Sequence, residues 1–368
     1  MTEIYILEDS QQSIAGGGQK VSAKLIDYLL SRRDVNVTIF DTLSKNESFF
    51  QRFQDTGFCT YRRPKLRATG IGSSFTYSAL SSLVLVAAAS LAGFKLARLI
   101  YIRNNLKPPT LYCPTKFGYF VGLLPRLMFS CKLIMHVHNI SDHNLISRLF
   151  QWLLRITAEE VVCVSQTVYD SLCHPRKTLI RNPILGFPSI QRSLRTNGLS
   201  LGVVASFFPY KGQSFFLQEA AKLVAKHPQV NVHLYGDGPE LASLSQRFVC
   251  KAIHFHGRLN DLDAIYANLD IVVIPSLKPE AFSIVIPEAW SYGCLVLASD
   301  VPAHKELIED GVNGCLFVTG DSKDLLSKLE SFIQDWPAQK SRIAEGYASL
   351  SQFKIADFVS QLSQIIFR

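Results

Sequence analysis

Short apolar runs alternate with helix-length segments along most of this chain, and they do so in two successive series. The first series places strands at residues 3–8, 35–40, 111–113, 132–138, 159–165 and 177–182. The second places them at residues 199–206, 230–236, 252–257, 270–275 and 294–299. Strands that alternate with helices build parallel sheets with helices on both faces. The sequence therefore predicts an α/β protein with two doubly wound parallel-sheet domains facing a central cleft.

The boundary between the two series is a stretch rich in Pro, Gly, Ser and Arg, residues 184–198. A length of 368 residues fits two domains. We expect an N-terminal domain over 1–187 and a C-terminal domain over 188–351. The final helix, 352–368, is expected to pack back onto the first domain.

The charge of the chain is unevenly distributed. Residues 1–195 carry 24 Lys and Arg against 12 Asp and Glu, whereas residues 196–368 carry 14 against 18. A basic half indicates an anionic partner. The basic segments lack the interleaved aromatic residues of RNA-binding motifs, so we expect no nucleic acid and favour an anionic membrane surface.

The eight cysteines form no C-x-x-C pair, and several lie inside apolar runs. This usage favours buried thiols in a reducing compartment. The first fifteen residues lack the basic-then-apolar pattern of a secretory signal. A cytoplasmic location is therefore expected, with peripheral attachment to the inner face of the cell membrane as a second expectation.

Residues 75–94 contain no charged side chain. Twenty such residues reach the minimum length of a membrane span, but four serines, a threonine and a glycine reduce the hydrophobicity. Three interpretations stay open: a buried or half-buried domain helix, a membrane-surface element, or a true span. The basic residues that follow, Lys95, Arg98, Arg103 and Lys107, are typical of interfacial attachment.

The most informative stretch for function is residues 271–293. An apolar run, residues 271–274, predicts a buried strand, and Pro275 then ends it. Glu280 follows in the loop, and Glu288 lies at the start of the next helix. Carboxyl ends of parallel strands face the crevice where such sheets bind ligands, and helix N-termini bind anions. The pair suits a nucleotide sugar, although two solvated glutamates are an open alternative.

Glycine loops follow three other predicted strands. Gly17 and Gly18 open the first helix, Lys211 and Gly212 follow the first strand of the second domain, and the segment 235–241 follows the next strand. Backbone N–H groups in such turns can approach phosphate, and lysine supplies a compact cation. In that segment Asp237 is expected to cap the following helix. Ordinary structural turns stay an alternative for each loop.

Histidine is the other candidate for chemistry. His138 is followed by Asn139 and a polar loop at the cleft-facing end of its strand. Two pairs of histidines lie two residues apart, at 136 and 138 and at 254 and 256. We assign the two members of each pair to opposite faces of their strand, which argues against a metal ion shared by the pair. No Asp-x-Asp follows a strand. We therefore expect no metal and no cofactor.

Eight motifs, in order, resemble glycosyltransferase family four, the retaining glycosyltransferases of GT-B fold. They are the glycines at 16–18, His-Asn at 138–139, VSQTVYDSL at 164–172, IRNP at 180–183, PYKG at 209–212, YGDGP at 235–239, the E-x7-E spacing of 280–288, and ELIEDGVNGCLF at 306–317. The resemblance covers nearly the whole chain.

The resemblance implies roles for individual residues. Glu288 would bind ribose hydroxyls, Glu280 the donor sugar, and Lys211 the leaving diphosphate. Catalysis is assigned to His138, Lys211 and Glu280. Donor binding is assigned to Gly17, Gly18, Ser206, Gly212, Gly236, Asp237, Arg258, Phe282, Ser283, Ile284 and Glu288.

The resemblance also implies a reaction. It is the metal-independent, retaining transfer of a hexosyl group from a UDP- or GDP-sugar to a glycan or lipid-linked acceptor, in cell-surface polysaccharide, lipopolysaccharide or glycolipid biosynthesis. Ser206 stands where the family usually has an arginine, and Arg258 is a candidate replacement. The alternatives are a catalytically silent GT-B paralogue that acts as a binding partner, and a nucleotide-sugar epimerase.

Overall fold

The computed structural model describes residues 1–10, 17–43, 50, 52–53, 57–62, 79–103, 108–140, 145–184 and 198–368. The chain divides into two compact units. The first contains the described residues up to 184 together with Ile355–Arg368, and the second contains residues 198–354. Most of the predicted linker, residues 185–197, lies outside the described part.

The first unit is built on a parallel sheet with the strand order β3-β2-β1-β4-β5-β6-β7. Its strands are β1 (Thr2–Ser10), β2 (Val35–Leu43), β3 (Phe58–Arg62), β4 (Thr110–Cys113), β5 (Lys132–Val137), β6 (Glu160–Cys163) and β7 (Lys177–Leu179). Its first helices are α1 (Gly17–Ser31), α2 (Ala79–Ile102), α3 (Lys116–Phe129), α4 (Leu145–Thr157) and α5 (Gln166–Asp170).

The second unit is built on another parallel sheet, with the order β10-β9-β8-β11-β12-β13. Its strands are β8 (Ser200–Val204), β9 (Asn231–Tyr235), β10 (Ile253–Gly257), β11 (Ile271–Ile274), β12 (Leu295–Ser299) and β13 (Cys315–Phe317). Its helices are α6 (Gln213–Lys226), α7 (Leu241–Arg247), α8 (Leu262–Tyr266), α9 (Val285–Ser291), α10 (Pro302–Leu307), α11 (Ser322–Gln334) and α12 (Lys340–Ala348).

The unbroken apolar runs in both sheets follow from burial on two faces. In β1, Ile4 and Ile6 point to one face while Tyr5 and Leu7 point to the other, and all four are fully buried. A strand covered by helices on both faces needs apolar residues at every position. The prediction of two α/β domains with parallel sheets is confirmed.

The last helix, α13 (Ile355–Phe367), belongs to the first unit. Its buried residues Phe358, Leu362 and Ile366 join the core that contains Ile4 and Ile26. Lys132 also donates a hydrogen bond of 2.6 Å from Nζ to the carbonyl of Ile365. The first unit is therefore completed by residues that follow the whole second unit in sequence.

Three elements differ from the sequence prediction. Strands β3 and β13 were not predicted, because FCTYR is polar in part and CLF is only three residues long. Helix α2 continues to Ile102, beyond the uncharged stretch 75–94, because Leu96 and Ile100 keep its buried face continuous while Arg98 is exposed. Residues 75–78 lie outside the described part.

Candidate active site

Several of the predicted site residues of the second unit lie together at the carboxyl ends of β8 and β11. These strands are neighbours, and the sheet order reverses between them. Such a switch point opens a crevice outside the strand ends. A cavity of about 200 Å³ lies there, and its lining includes six of the predicted residues: Ser206, Lys211, Glu280, Phe282, Ser283 and Ile284.

A larger cavity, of about 460 Å³, lies in the first unit beside Glu3 and Val35. These residues are at the amino ends of β1 and β2. Parallel α/β sheets bind ligands at the opposite ends of their strands, so the smaller cavity is the better candidate.

Lys211 and Glu280 form a partly buried ion pair in the candidate cavity. The distance from Lys211 Nζ to Glu280 Oε2 is 2.7 Å, and their side chains are 20% and 9% exposed. The hydroxyl of Ser276 donates to the other carboxylate oxygen, Oε1. Burial is the strongest influence on the pKa of Glu280 and would raise it. Lys211, with smaller contributions from His304 and Ser276, outweighs burial, so the pKa is lowered. Glu280 is therefore ionised and fixed at both oxygens.

The position of Lys211 depends on Gly212. A short 3-10 turn, Pro209–Lys211, ends at Gly212, which has a φ of 75°. A Cβ at that position would lie 1.9 Å from the carbonyl oxygen of Pro275, at the end of β11. Only glycine permits this close approach and this left-handed backbone together. The turn is thereby held against the strand end that leads to Glu280.

Glu288 is anchored by a residue that the sequence did not identify. Tyr266, the last residue of α8, donates a hydrogen bond of 2.8 Å to Glu288 Oε2. Tyr266 is fully buried, and its ring stacks on Tyr292 with centroids 5.3 Å apart. Burial raises the pKa of Tyr266, and the neighbouring Glu288 carboxylate raises it further. The phenol therefore stays a donor, and it orients this carboxylate.

His304 was also missed by the sequence prediction. It lies in α10 and is fully buried, with its Nδ1 2.8 Å from the carbonyl oxygen of Ser299. Because a carbonyl only accepts, the proton is on Nδ1, and Nε2 is left 3.9 Å from Glu280 Oε1. Burial lowers the pKa of His304. The ring is thus neutral, and its Nε2 has no hydrogen-bond partner among the described residues.

The loop after β9 approaches the end of β8. Gly236 has a φ of 138°, and a Cβ there would lie 2.0 Å from the carbonyl oxygen of Ala205. The prediction that Asp237 caps the next helix was wrong, because α7 begins at Leu241 and follows Glu240 without a side-chain cap. The carboxylate of Asp237 lies 3.8 Å from Arg258 instead.

Arg258 was considered as a replacement for the cation that Ser206 lacks. It follows β10, and two strands, β9 and β8, lie between β10 and β11 in the sheet. Its guanidinium is paired with Asp237, and it is not among the residues that line the cavity. Ser206 does line the cavity, together with Lys211.

The first unit brings Gly18 and His138 together. Helix α1 begins at Gly17, and a Cβ on Gly18 would lie 3.7 Å from His138 Nδ1, an ordinary contact. Burial lowers the pKa of His138 to about 4, so the ring is neutral near pH 7. Its Nε2 has no hydrogen-bond partner among the described residues. Residue 16 of the predicted glycine loop and residues 141 and 142 of the polar loop after His138 lie outside the described part.

The assignment of paired histidines to opposite strand faces was wrong. The rings of His136 and His138 have centroids 4.2 Å apart, and those of His254 and His256 are 6.2 Å apart. Residues two apart along a strand share a face, since side chains alternate with a period of two. Nδ1 of His136 and the hydroxyl oxygen of Tyr112 are hydrogen-bonded at 2.5 Å. No group of three or more His, Cys, Asp or Glu among the described residues is arranged to hold a metal ion.

Solved structures of other proteins share the fold of this chain. HepE from Anabaena, crystallised with UDP-glucose, aligns with 100% of this chain and 99% of its own, with a TM-score of 0.75 and 19% identity. At this identity the likeness defines the fold alone. The structural neighbours are GT-B glycosyltransferases, so the predicted GT-B fold is confirmed.

The sequence comparison supports the predicted resemblance. Residues 198–335 match the family model for glycosyl transferases group 1. The predicted resemblance to glycosyltransferase family four is confirmed by this match.

Two curated relatives match over part of their length. A phosphatidyl-myo-inositol mannosyltransferase from Mycolicibacterium smegmatis is 26% identical over 160 residues, which is 43% of this chain and 42% of the relative. An N,N'-diacetylbacillosaminyl-diphospho-undecaprenol alpha-1,3-N-acetylgalactosaminyltransferase from Campylobacter jejuni is 30% identical over 133 residues, or 36% and 35% of the two chains. In each comparison the matched part of this chain spans less than half the length of the relative.

Proposed function

We propose that this protein is a retaining glycosyltransferase that moves a hexosyl group from a UDP- or GDP-sugar to a glycan or lipid-linked acceptor. The observation that carries the proposal is the Lys211–Glu280 ion pair, set at 2.7 Å in a cavity at the switch point of the second sheet. A fixed carboxylate can accept hydrogen bonds from sugar hydroxyls. The adjacent ammonium has two further N–H donors for a diphosphate.

The proposed reaction forms the new bond on the face of the sugar that the diphosphate leaves. The bond between the anomeric carbon and the phosphate oxygen breaks, the acceptor oxygen bonds to that carbon, and the departing phosphate takes the acceptor proton. The protein then has to stabilise the leaving diphosphate with positive charge that is already in position before the reaction. We assign that role to Lys211 and to the backbone N–H groups of Phe282, Ser283 and Ile284. No metal or cofactor takes part in this scheme.

The remaining assignments follow the same scheme. We propose that Glu288, oriented by Tyr266, binds the ribose hydroxyls of the donor. On the first unit, we propose that Gly17 and Gly18 bind the donor and that His138 takes part in catalysis.

For the donor and the acceptor, the relatives suggest where to begin. HepE was crystallised with UDP-glucose, so this is the first donor to test. The names of the two curated relatives specify lipid-linked acceptors. We propose a cytoplasmic location and a role in cell-surface polysaccharide or glycolipid biosynthesis.

The test is incubation of the purified chain with UDP- and GDP-sugars, with and without EDTA, followed by measurement of nucleoside diphosphate release. Slow hydrolysis of one donor that persists in EDTA and disappears in Glu288→Ala supports the transferase. The matched control is Glu330→Ala, because Glu330 is paired with Lys226 at the surface of the second unit. The anomeric configuration of a transferred sugar, read by NMR, tests retention. No binding and no hydrolysis of any donor would contradict the proposal.

A second candidate is a catalytically silent paralogue that binds a partner or a glycan. It is favoured by one observation, the presence of Ser206 in the cavity where the family usually has an arginine. Donor binding with no release of nucleoside diphosphate, in wild type and in Ser206→Arg alike, would favour this candidate. An epimerase would instead be revealed by a changed sugar configuration in the recovered nucleotide sugar.

A further inference from the structure

Helix α4 turns an apolar stripe towards solvent. Leu145, Leu149, Trp152 and Ile156 have exposed fractions of 80%, 62%, 57% and 57%. At 100° per residue these four side chains lie within an arc of about 60°. Leu154, on the opposite side of the helix, is 2% exposed and packs inward. We call these four residues the α4 stripe.

Two arginines border the α4 stripe on one side. Arg148 and Arg155 are exposed, and their positions place them about 70–90° from the centre of the stripe. Such an apolar face with adjacent cations is typical of helices that lie in the interface of a bilayer. Trp152 is also suited to that position, because indole combines an apolar ring with a polar N–H.

Helix α2 exposes a second apolar stripe. Val86, Leu91, Phe94 and Tyr101 are 62–74% exposed, and the exposed Arg98 lies among them. The segment Val84–Ile102 is long and apolar enough to cross a membrane, and 39% of it is buried. Its inner side packs on α3 so closely that a Cβ on Gly93 would lie 2.8 Å from the carbonyl oxygen of Val121. This packing makes α2 part of the helical layer of the first unit.

Helix α3 lies between the two stripes. It contacts α2 along its length, and the ring of Tyr119 meets that of Phe150 in α4 edge-on, with centroids 5.5 Å apart. Its own Leu127 and Met128 are 75% and 56% exposed. The outer sides of α2, α3 and α4 together form what we call the helical face.

We propose that the helical face docks on an anionic lipid bilayer. The argument for lipid is charge complementarity. Arg98, Arg148 and Arg155 accompany the apolar side chains, and the first half of the chain carries twice as many basic as acidic residues. Apolar area supplies burial in the acyl boundary and the arginines supply attraction to acidic headgroups. The proposal goes beyond the transferase activity, and its test needs no sugar donor.

Tryptophan emission provides a direct readout. The chain has three tryptophans, of which Trp152 is exposed, whereas Trp290 and Trp336 are 1% and 7% exposed. On addition of vesicles of phosphatidylglycerol and phosphatidylcholine we expect a blue shift, and quenching when the lipid tails are brominated. The effect should be absent in Trp152→Phe. It should also weaken in high salt or with phosphatidylcholine alone.

Co-sedimentation with the same vesicles tests whether the residues of the helical face bind the membrane. The double variant Leu149→Gln/Trp152→Gln and the double variant Arg148→Glu/Arg155→Glu should each bind at least about tenfold more weakly. The matched controls are Val249→Gln and Arg247→Glu, which change exposed residues of the second unit. Circular dichroism and thermal melting check that every variant is folded.

Two results would overturn the proposal. One is full recovery of the wild-type protein in the supernatant at low salt. The other is dissociation of a lipid-free dimer by Leu149→Gln/Trp152→Gln with vesicle binding unchanged, which would assign the face to a second copy of the chain.

Discussion

Replacing Lys211 by methionine removes the ammonium that is paired with Glu280 while keeping a side chain of similar length. Glu280 is 9% exposed and would keep one hydrogen bond, from Ser276. Breaking a buried ion pair by removing one partner typically costs about 3–5 kcal/mol. Because Lys211 itself is 20% exposed, part of that cost is screened by solvent. We expect a loss of roughly 2–3 kcal/mol in the free energy of unfolding of the second unit.

Lys226→Met is the matched control for this variant. Lys226 Nζ lies 2.7 Å from Glu330 Oε1, the same distance as in the Lys211–Glu280 pair, but the side chains are 60% and 26% exposed. An exposed pair contributes about 0–1 kcal/mol. The assay is urea unfolding followed by tryptophan emission in a Trp152→Phe background, where Trp290 and Trp336 report on the second unit alone.

The pH dependence gives the prediction a second readout. The pKa of Glu280 is lowered below its value of 4.5 in the unfolded chain, so the contribution of the pair is fully present above that pH and is lost as the pH falls further. In Lys211→Met, burial remains and raises the pKa of Glu280, so stability should fall as the pH rises. Equal losses in Lys211→Met and Lys226→Met, with the same pH profile, would refute the reasoning.

Two further substitutions test how the site is built. Gly212→Ala should abolish the cooperative unfolding of the second unit or destabilise it by more than about 4 kcal/mol, since its Cβ would lie 1.9 Å from the oxygen of Pro275. Gly311→Ala, with a φ of 79° and nothing within 4 Å, should cost only about 1–2 kcal/mol, and equal losses would contradict this. Tyr266→Phe removes the donor to Glu288, so we expect a rise of about tenfold in the donor KM with kcat nearly unchanged. An unchanged KM would contradict the orienting role.

The fold was largely predictable because burial leaves a clear signal in the sequence. Residues 271–274 are apolar throughout, and all four are buried in β11. Alternation of such runs with helical segments predicted both sheets. The short edge strands β3 and β13 gave no comparable signal, because the first contains polar residues and the second has only three residues.

The site was predictable in outline but not in its contacts. Glycines and carboxylates after neighbouring strands indicated which residues meet, since parallel strands end at one edge of the sheet. The partner of a side chain depends on its direction, which spacing does not determine. Lys211 and Glu280 are 69 positions apart, and Tyr266 and Glu288 are 22 apart. His304 lies in a segment of ordinary composition, so nothing in the sequence distinguished it.

The return of α13 to the first unit determines the order in which the chain can fold on the ribosome. Domains generally fold as units, the N-terminal one first, as the chain emerges. Here the first unit lacks Phe358, Leu362 and Ile366 from its core until residues 355–367 have been made. All strands of the second unit, β8 to β13, emerge before that helix. We therefore expect the second unit to reach its native state first. Until α13 has been made, the first unit should expose an apolar groove beside α1, where α13 packs in the native state.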